Sequence, residues 1–215
     1  MQKNICTLCG GQNIELFFEN KQREFHRCGD CDLIFVPKQY FLSVNEEKEQ
    51  YDFHQNSFEN RGYIEFLNQL CLPTQKFINP NANGLDFGSG PMPVLSQMFE
   101  LSGFNMDIYD YFYATDIVVF EKKYDFITST EVFEHLHNPL DEVKKLWNCL
   151  EVGGVLAIMT GMTQHISDFK NWHYIRDLTH ICFFSDKTFR FIASLLGGEI
   201  IFEENNVTIL KKIKI

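Results

Sequence analysis

Four cysteines near the start of the chain constrain its fold more than any other feature. They form two Cys-x-x-Cys pairs, Cys6 with Cys9 and Cys28 with Cys31, and 18 residues lie between the pairs. Four thiolates at this spacing are typical of a closed, tetrahedral zinc site. A segment of about 35 residues is too small to fold on an apolar core alone, so bound metal would supply folding free energy. We therefore predict a zinc ribbon over residues 1–37 with one structural zinc ion. Redox pairs or reduced buried thiols are the alternative interpretation.

The composition and charge favour a globular protein and exclude several partners. The chain has 215 residues and a formal net charge of −10. Such an acidic chain is repelled by phosphate backbones, so a nucleic-acid partner is not expected. No apolar run approaches the ~18 residues that span a bilayer, and no signal segment opens the sequence. We expect a cytoplasmic protein whose isolated cysteines are reduced core residues: Cys71, Cys149 and Cys182. The sequence leaves the oligomeric state open.

Downstream of the ribbon, the pattern changes from helical to alternating. Residues 38–80 are predicted to be a helical connecting segment, with helices over 45–55 and 63–70, the second ended by Pro73. Strand and helix patterns alternate over 81–215, which indicates an α/β parallel sheet. The predicted strands cover 84–87, 106–110, 124–128 and 155–159; the predicted helices cover 93–101, 138–154 and 185–196; a hairpin follows around Asn205-Asn206.

A glycine turn follows the first predicted strand of this domain. Gly88, Ser89 and Gly90 are small residues of the kind that let a ligand approach the backbone closely. A dinucleotide fingerprint requires a further glycine where this chain has Pro93. Asp86, two residues before the turn, favours S-adenosylmethionine, whose amino-acid end carries an ammonium group. A structural turn without a ligand is the remaining alternative.

An acidic residue at the end of the second predicted strand supports a nucleoside ligand. Asp110 lies 20 residues after Gly90, and a carboxylate there can accept hydrogen bonds from both ribose hydroxyls. Tyr111 and the two aromatic residues after it could stack on adenine. Asp110 does not distinguish a dinucleotide from S-adenosylmethionine, since both contain ribose. A role as a turn residue is the alternative.

Together these segments resemble a class I S-adenosylmethionine-dependent methyltransferase over roughly residues 45–215. The chain is similar to a subgroup with an N-terminal zinc ribbon, a Tyr-x-x-His segment and a Gly-x-Gly-Pro turn. The matching segments are 51–56, 85–91, 109–110, 124–135 and 171–180. The resemblance implies a Rossmann-like, seven-stranded, mostly parallel sheet with a C-terminal antiparallel hairpin. It also implies that Thr130 and Glu131 face the cofactor.

Two departures from this family pattern concern the cofactor pocket. Met92 stands where the family has a third glycine. We therefore expect its side chain to narrow the part of the pocket that holds the methionine end of the cofactor. Only 13 residues separate Asp110 from Tyr124, so the strand and helix usually found there must be shortened. A short strand around residues 115–118 is the expected remnant.

The candidate catalytic residues follow the strand ends or precede the sheet. Methyl transfer needs an oriented nucleophile and, for some acceptors, a base. A long polar loop after the strand over 155–159 contains His173, Asp177 and His180, and His54 precedes the sheet. We predict these four as the catalytic candidates, although each histidine could instead only hold its segment in place. For His135, after the strand over 124–128, we favour a structural role over that of the base.

The function predicted from the sequence is S-adenosylmethionine-dependent methyl transfer to a small molecule or a protein side chain. A nicotinamide-dependent oxidoreductase is one alternative, against which Pro93 and the segment 131–135 argue. A catalytically silent protein that binds a partner through the ribbon is the other. The acceptor atom stays open among oxygen, nitrogen, sulfur and carbon.

Overall fold

The computed structural model describes residues 5–53, 57–163 and 168–214, which form two sheets and five α-helices. The strands are β1 (Ile14–Glu19), β2 (Glu24–Cys28), β3 (Ile34–Phe35), β4 (Asn83–Phe87), β5 (Asn105–Tyr109), β6 (Tyr124–Thr130), β7 (Leu150–Met159), β8 (Cys182–Phe183), β9 (Gly198–Glu204) and β10 (Val207–Lys212). The helices are α1 (Val44–Tyr51), α2 (Arg61–Gln75), α3 (Val94–Leu101), α4 (Pro139–Cys149) and α5 (Asp186–Leu196).

The central sheet confirms the predicted α/β class. Its strand order is β5-β4-β6-β7-β10-β9. The first four strands are parallel, whereas β10 is antiparallel to both β7 and β9. The C-terminal hairpin turns at Asn205, whose positive φ of 53° suits the tight connection. A Rossmann-like sheet with an antiparallel hairpin is therefore present.

The described residues place six strands in this sheet instead of the seven that the resemblance implies. β5 is an edge strand, and the segment after it contains a 3₁₀ helix over Ile117–Glu121 where a short strand was expected. Asp116 caps this helix by accepting a hydrogen bond from the Val118 amide at 3.0 Å. The prediction of a strand there is wrong because 13 residues cannot form both a crossover helix and a further parallel strand.

Each face of the central sheet is covered, because successive strand residues point to opposite sides. In β7, Leu156 and Ile158 belong to the same apolar cluster as residues of α4 and α5. Their neighbours Ala157 and Met159 belong to a second cluster with residues of α2 and α3. This three-layer arrangement exposes the strand ends, where ligands bind in open α/β sheets.

The N-terminal ribbon shares a sheet with the rest of the chain. Its strands β1, β2 and β3 form a four-stranded sheet with β8 in the order β1-β2-β3-β8. Ile34 pairs with Phe183, and Phe35 pairs with Cys182. Phe25 also lies with its ring centroid 5.6 Å from that of Phe183. The ribbon is thus packed into the same apolar core as α4 and α5.

Three predicted element boundaries are wrong, each for a local reason. α1 begins after Ser43, not Asn45, since Ser43 forms a capping box with Glu46. Pro73 lies inside the last turn of α2 and does not end it, because the helix continues to Gln75. Residues 153–154 lie within β7, so they do not close α4, which ends at Cys149.

Candidate active site and cysteine cluster

The four cysteines of the double pair come together at one point of the ribbon. The Sγ atoms of Cys6 and Cys31 are 3.5 Å apart, as are those of Cys9 and Cys28. All four sulfurs lie within 4.8 Å of one another. The spacing is too long for a disulfide and close to the ~3.8 Å edge of a tetrahedron of ~2.3 Å zinc–sulfur bonds. The cluster therefore has the size of a four-thiolate metal site.

The two turns that follow the cysteine pairs have matching backbone geometry. Gly10 and Asp32, each one residue after the second cysteine of a pair, have φ values of 70° and 64°. The Asp32 side chain is held on both sides, by Arg27 and by the Ser185 hydroxyl, which donates to Oδ2 at 2.7 Å. Ser185 is the N-cap of α5, so this contact ties the second turn to the main domain.

A cavity of about 690 Å³ lies at the carboxyl ends of the parallel strands. This volume falls within the ~300–1,000 Å³ typical of small-molecule sites. Its wall combines strand ends with side chains of α1 and α2, among them Tyr51, Tyr63 and Phe66. These helix residues were not predicted to line the site, although the polar-tipped Tyr51 and Tyr63 stand on helix-forming segments just before the main sheet.

The glycine turn forms one side of this cavity. Gly88 and Gly90 have φ values of +81° and +66°, and a Cβ at Gly90 would meet no atom within 4 Å. A Cβ at Gly88 would instead lie 2.2 Å from Val132 Cγ2. Ser89 also lines the cavity. The turn thus leaves open space beside Gly90 in particular.

Asp110 lies next to the glycine turn and holds the local backbone in place. Its Oδ2 accepts a hydrogen bond from the Gly90 amide at 2.9 Å. Its Oδ1 accepts from the amides of Phe112 and Tyr113 at 2.8 and 3.1 Å. The carboxylate is therefore held in place, and its remaining lone pairs can accept further hydrogen bonds from a ligand. Tyr111, 64% exposed, and the two aromatic residues after it line the cavity beside it.

Two residues predicted to shape the cofactor pocket do not line the cavity. Asp86 is only 3% exposed and accepts hydrogen bonds from Ser96 at 3.0 Å and Thr128 at 2.9 Å. Burial raises the pKa of the Asp86 carboxyl to about 6. Asp86 therefore links β4 to α3 and β6 beneath the cavity, and whether it contacts the cofactor stays a prediction. Met92 is 47% exposed and does not line the cavity.

Thr130 and Glu131, at the end of β6, both line the cavity. Glu131 has a positive φ of 52°, which is uncommon for a residue with a side chain and turns the chain sharply after β6. Burial, and next the charge of Glu134, raise the pKa of Glu131 to about 9. This direction favours the protonated carboxyl, which can donate a hydrogen bond.

The polar loop after β7 brings three of the predicted catalytic residues to the cavity wall. His173, Asp177 and His180 all line it. Asp177 Oδ1 accepts hydrogen bonds from the Thr179 amide and hydroxyl at 2.9 and 2.6 Å. Burial raises the pKa of Asp177, but these bonds and the nearby His180 outweigh burial and hold that pKa below its usual value. His173 is exposed at the cavity edge. The fourth candidate, His54, lies outside the described residues.

Arg23, a residue of the N-terminal ribbon, holds the polar loop after β7 in place. It is 2% exposed, and its guanidinium donates to the carbonyl oxygens of Leu178, Ile175 and Asp177 at 3.0, 2.9 and 2.6 Å. Sequence reasoning missed this role because Arg23 lies about 150 residues before its partners in the chain. An arginine next to a strand gives no sign of such a distant contact.

A buried polar network lies under the cavity. Glu134, 0% exposed, accepts a hydrogen bond from the Thr160 hydroxyl at 2.7 Å and another from the Tyr174 hydroxyl. His135 follows it, lines the cavity, and donates from Nδ1 to the Thr179 carbonyl oxygen at 3.1 Å. That bond is compatible with the predicted structural role of His135. It leaves Nε2 of the ring without a proton when the imidazole is neutral.

The comparisons with known proteins identify the family of the chain and agree with its fold. Residues 54–201 match the family described as "Methyltransferase domain", which is more than half of the 215-residue chain. The chain belongs to this methyltransferase family. Membership of this family favours the predicted methyltransferase over the oxidoreductase alternative. No curated protein sequence matches the chain.

Solved structures share the fold at low sequence identity. A Burkholderia thailandensis 1,6-didemethyltoxoflavin-N1-methyltransferase, bound to 1,6-didemethyltoxoflavin and S-adenosylhomocysteine, has 13% identity and a TM-score of 0.57 over 93% of this chain and 100% of its own. Streptomyces venezuelae DesVI has 9% identity and a TM-score of 0.53 over 80% of this chain and 99% of its own.

A longer solved protein matches only in part. The chain spans about half, 52%, of coclaurine N-methyltransferase bound to N-methylheliamine and S-adenosylhomocysteine. That match covers 70% of this chain at 16% identity and a TM-score of 0.44. None of the helices in the described part of the chain is both long and apolar enough to cross a bilayer.

Proposed function

We propose that the cavity binds S-adenosylmethionine between the glycine turn and Asp110 and transfers its methyl group to a small molecule. The observation that carries the proposal is the hydrogen bond of 2.9 Å between the Gly90 amide and Asp110 Oδ2. It joins the turn after β4 to the acid after β5, so that a nucleoside and its amino-acid tail can be held at one strand edge. When bound, S-adenosylmethionine supplies a methyl carbon activated by its sulfonium.

The residues present fit such a cofactor. The open space beside Gly90 admits the amino-acid end, and the fixed carboxylate of Asp110 can accept the ribose hydroxyls. Tyr111 and Phe112 offer ring faces for the adenine. Among the described residues, Thr130 Oγ1 is buried without a hydrogen-bond partner, so a ligand group there would satisfy it. We place the methionine end near Gly88 and Ser89, with Thr130 and Glu131 next to it.

We assign the acceptor to the opposite side of the cavity. His173, Asp177 and His180 line that side, together with Tyr51 and Tyr174. Imidazoles, a carboxylate and aromatic rings suit a small, partly polar molecule. His173 is the proposed proton acceptor, because its exposed position lets a proton pass on to water. Asp177 and His180 orient the acceptor, and His54 remains a candidate from the segment that precedes α2.

We further propose that Cys6, Cys9, Cys28 and Cys31 hold one structural zinc ion. The four sulfurs converge as a closed set, which leaves no open position for a substrate. Thiolates with no disulfide partner suit a reducing compartment, and we accordingly propose the cytoplasm.

Isotope transfer tests the proposed function directly. The purified protein is mixed with S-adenosylmethionine that carries a labelled methyl group and with a small-molecule extract, and labelled products are separated by mass. Saturable binding of S-adenosylhomocysteine by calorimetry, with a labelled small molecule as product, supports the proposal. Absence of binding, or label found only in protein, contradicts it.

A further inference from the structure

Two histidines and a glutamate converge beneath the acceptor side of the cavity. One ligand atom from each of Glu134, His135 and His180 lies within 4.8 Å of the others. Two ligands on a tetrahedral metal at ~2.1 Å are about 3.4 Å apart, so the side chains would close by at most ~1.5 Å around a cation. The ring centroids of the two histidines are 4.7 Å apart. The set contains one carboxylate and two imidazoles, a combination typical of catalytic metal sites with open positions.

Both imidazoles are oriented in the way that metal-binding histidines usually are. His135 Nδ1 is 3.1 Å from the Thr179 carbonyl oxygen, and His180 Nδ1 is 2.9 Å from the Tyr174 carbonyl oxygen. A carbonyl oxygen only accepts, so each Nδ1 carries the proton and each neutral ring presents an Nε2 lone pair. A backbone carbonyl behind the ring is the common outer partner of a metal-bound histidine.

The lone pairs that result face other acceptors. His135 Nε2 is 4.0 Å from Glu134 Oε1, and His180 Nε2 is 3.7 Å from Asp177 Oδ2. Two acceptors that face each other repel unless a proton or a cation lies between them. Glu134 is fully buried and is itself held by Thr160 and Tyr174, so the carboxylate cannot turn away easily. A bound cation would remove this repulsion.

We propose that Glu134, His135 and His180 bind a divalent transition-metal cation at the floor of the cavity. Since His135 and His180 line the cavity, the open positions of the cation would face the acceptor. Such a cation would bind an acceptor that presents an oxygen atom, such as a hydroxyl or an enolate. This specificity rests on the proposed function, whereas the cation site itself does not. This ion is distinct from the ribbon zinc, which has four sulfur ligands.

Manganese is the probe that separates the two metal sites. Thiolates favour zinc, whereas carboxylate-containing sites accept Mn²⁺. The full-length protein, with its ribbon zinc in place, is titrated with Mn²⁺ alone, and free Mn²⁺ is followed by electron paramagnetic resonance. We expect one Mn²⁺ per chain with no loss of zinc. His135→Asn and His180→Asn should each abolish this binding. Thr160→Val, which removes an outer partner of Glu134, should weaken it by about 10–100-fold.

The matched control is His137→Asn, because His137 also lines the cavity but contacts Glu47 instead of this cluster. It should bind Mn²⁺ as the parent does, and near-ultraviolet circular dichroism shows which variants are folded. The proposal is overturned if the parent protein binds no Mn²⁺, or if folded His135→Asn and His180→Asn variants bind it unchanged. Binding of S-adenosylhomocysteine, measured in parallel without Mn²⁺, separates this failure from a failure of the proposed function.

Discussion

The guanidinium of Arg23 donates a hydrogen bond of 2.6 Å to the backbone carbonyl of Asp177, a residue 154 positions later in the chain. Arg23 lies in the hairpin between β1 and β2, and Asp177 lies in the loop that borders the acceptor side of the cavity. The cysteine cluster and the candidate active site are therefore mechanically connected. Loss of the ribbon should disturb the loop even though the ribbon cysteines do not line the cavity.

Substitution of Arg23 tests this connection. Arg23→Ala leaves three carbonyl oxygens of the loop without their charged donor. Hydrogen bonds to a charged group contribute about 1.5–3 kcal/mol, so the free energy of unfolding should fall by about that much. The rate of methyl transfer should fall too, while binding of S-adenosylhomocysteine should be unchanged. Urea unfolding, a methyl-transfer assay and calorimetry measure the three quantities.

Arg61→Ala is the matched control, since Arg61 forms an exposed ion pair with Glu65. Such pairs contribute at most ~1 kcal/mol, so this variant should be nearly as stable as the parent. If Arg23→Ala is equally stable and equally active, the ribbon does not position the loop.

Zinc analysis tests the cysteine cluster. The protein purified without added zinc should contain about one zinc ion per chain. Cys31→Ser should lose most of this zinc and make the ribbon sensitive to proteolysis, because a closed site needs all four ligands. Cys71→Ser, which alters a buried cysteine elsewhere, should retain the zinc. A folded ribbon that holds no metal and has four free thiols would show that the site is not a zinc site.

The sequence predicted well those features that depend on local pattern. The double cysteine pair, the strand–helix alternation and the helix predicted over 185–196 all depend on neighbouring residues, and each is present in the structure. Contacts between distant segments could not be predicted in this way. The pairing of β3 with β8 and the bonds of Arg23 depend on how the chain closes on itself.

The candidate site also contains some features that the local sequence predicts and others that depend on the fold. Asp110 and the glycine turn follow strands, and the order of a parallel sheet brings such residues to one edge. Asp86 belongs to the same motif in sequence, but strand alternation points its side chain into the layer beneath, where Ser96 and Thr128 bind it. A motif therefore indicates the neighbourhood of a ligand without deciding which of its residues contact it.

The role of Asp110 can be measured as a binding affinity. Asp110→Ala should weaken S-adenosylhomocysteine binding by about 1.5–3 kcal/mol, the contribution of hydrogen bonds to a charged group, which is roughly 10–150-fold in the dissociation constant. Asp116→Ala is a matched control, because Asp116 also accepts from a backbone amide, at 3.0 Å, but lies outside the cavity wall. Equal affinity in both variants would place the nucleoside elsewhere. Gly88→Val is a poor alternative, since the contact with Val132 would disturb the fold as well.

Asp86 should make stability depend on pH in a definite direction. Burial raises the pKa of its carboxyl from an ordinary 3.8 to about 6 in the folded protein. Between pH ~4 and ~6 the folded state retains a proton that the unfolded state has lost, so rising pH reduces the free energy of unfolding. The reduction from this group is about 3 kcal/mol, at 1.36 kcal/mol per pKa unit.

Asp86→Asn removes this contribution. The difference in unfolding free energy between the parent and the variant should therefore shift by about 3 kcal/mol against the parent as pH rises from 4 to 7. Urea unfolding over this pH range measures it, with the exposed Asp116→Asn as a control. A constant difference would mean that Asp86 ionises normally despite its burial.

His173 is the residue on which the proposed proton transfer depends. His173→Ala should bind S-adenosylhomocysteine normally, because we assign His173 to the acceptor and the glycine turn and Asp110 to the cofactor. Its rate of methyl transfer should fall by roughly 10²–10⁴, the usual contribution of a positioned general base. His137→Ala, another histidine of the cavity wall, should lose much less. A site that only orients the acceptor predicts a small loss in both variants.

Full activity in the Ala variants of His54, His173, Asp177 and His180 alike would instead place the chemistry at the turn of residues 131–135.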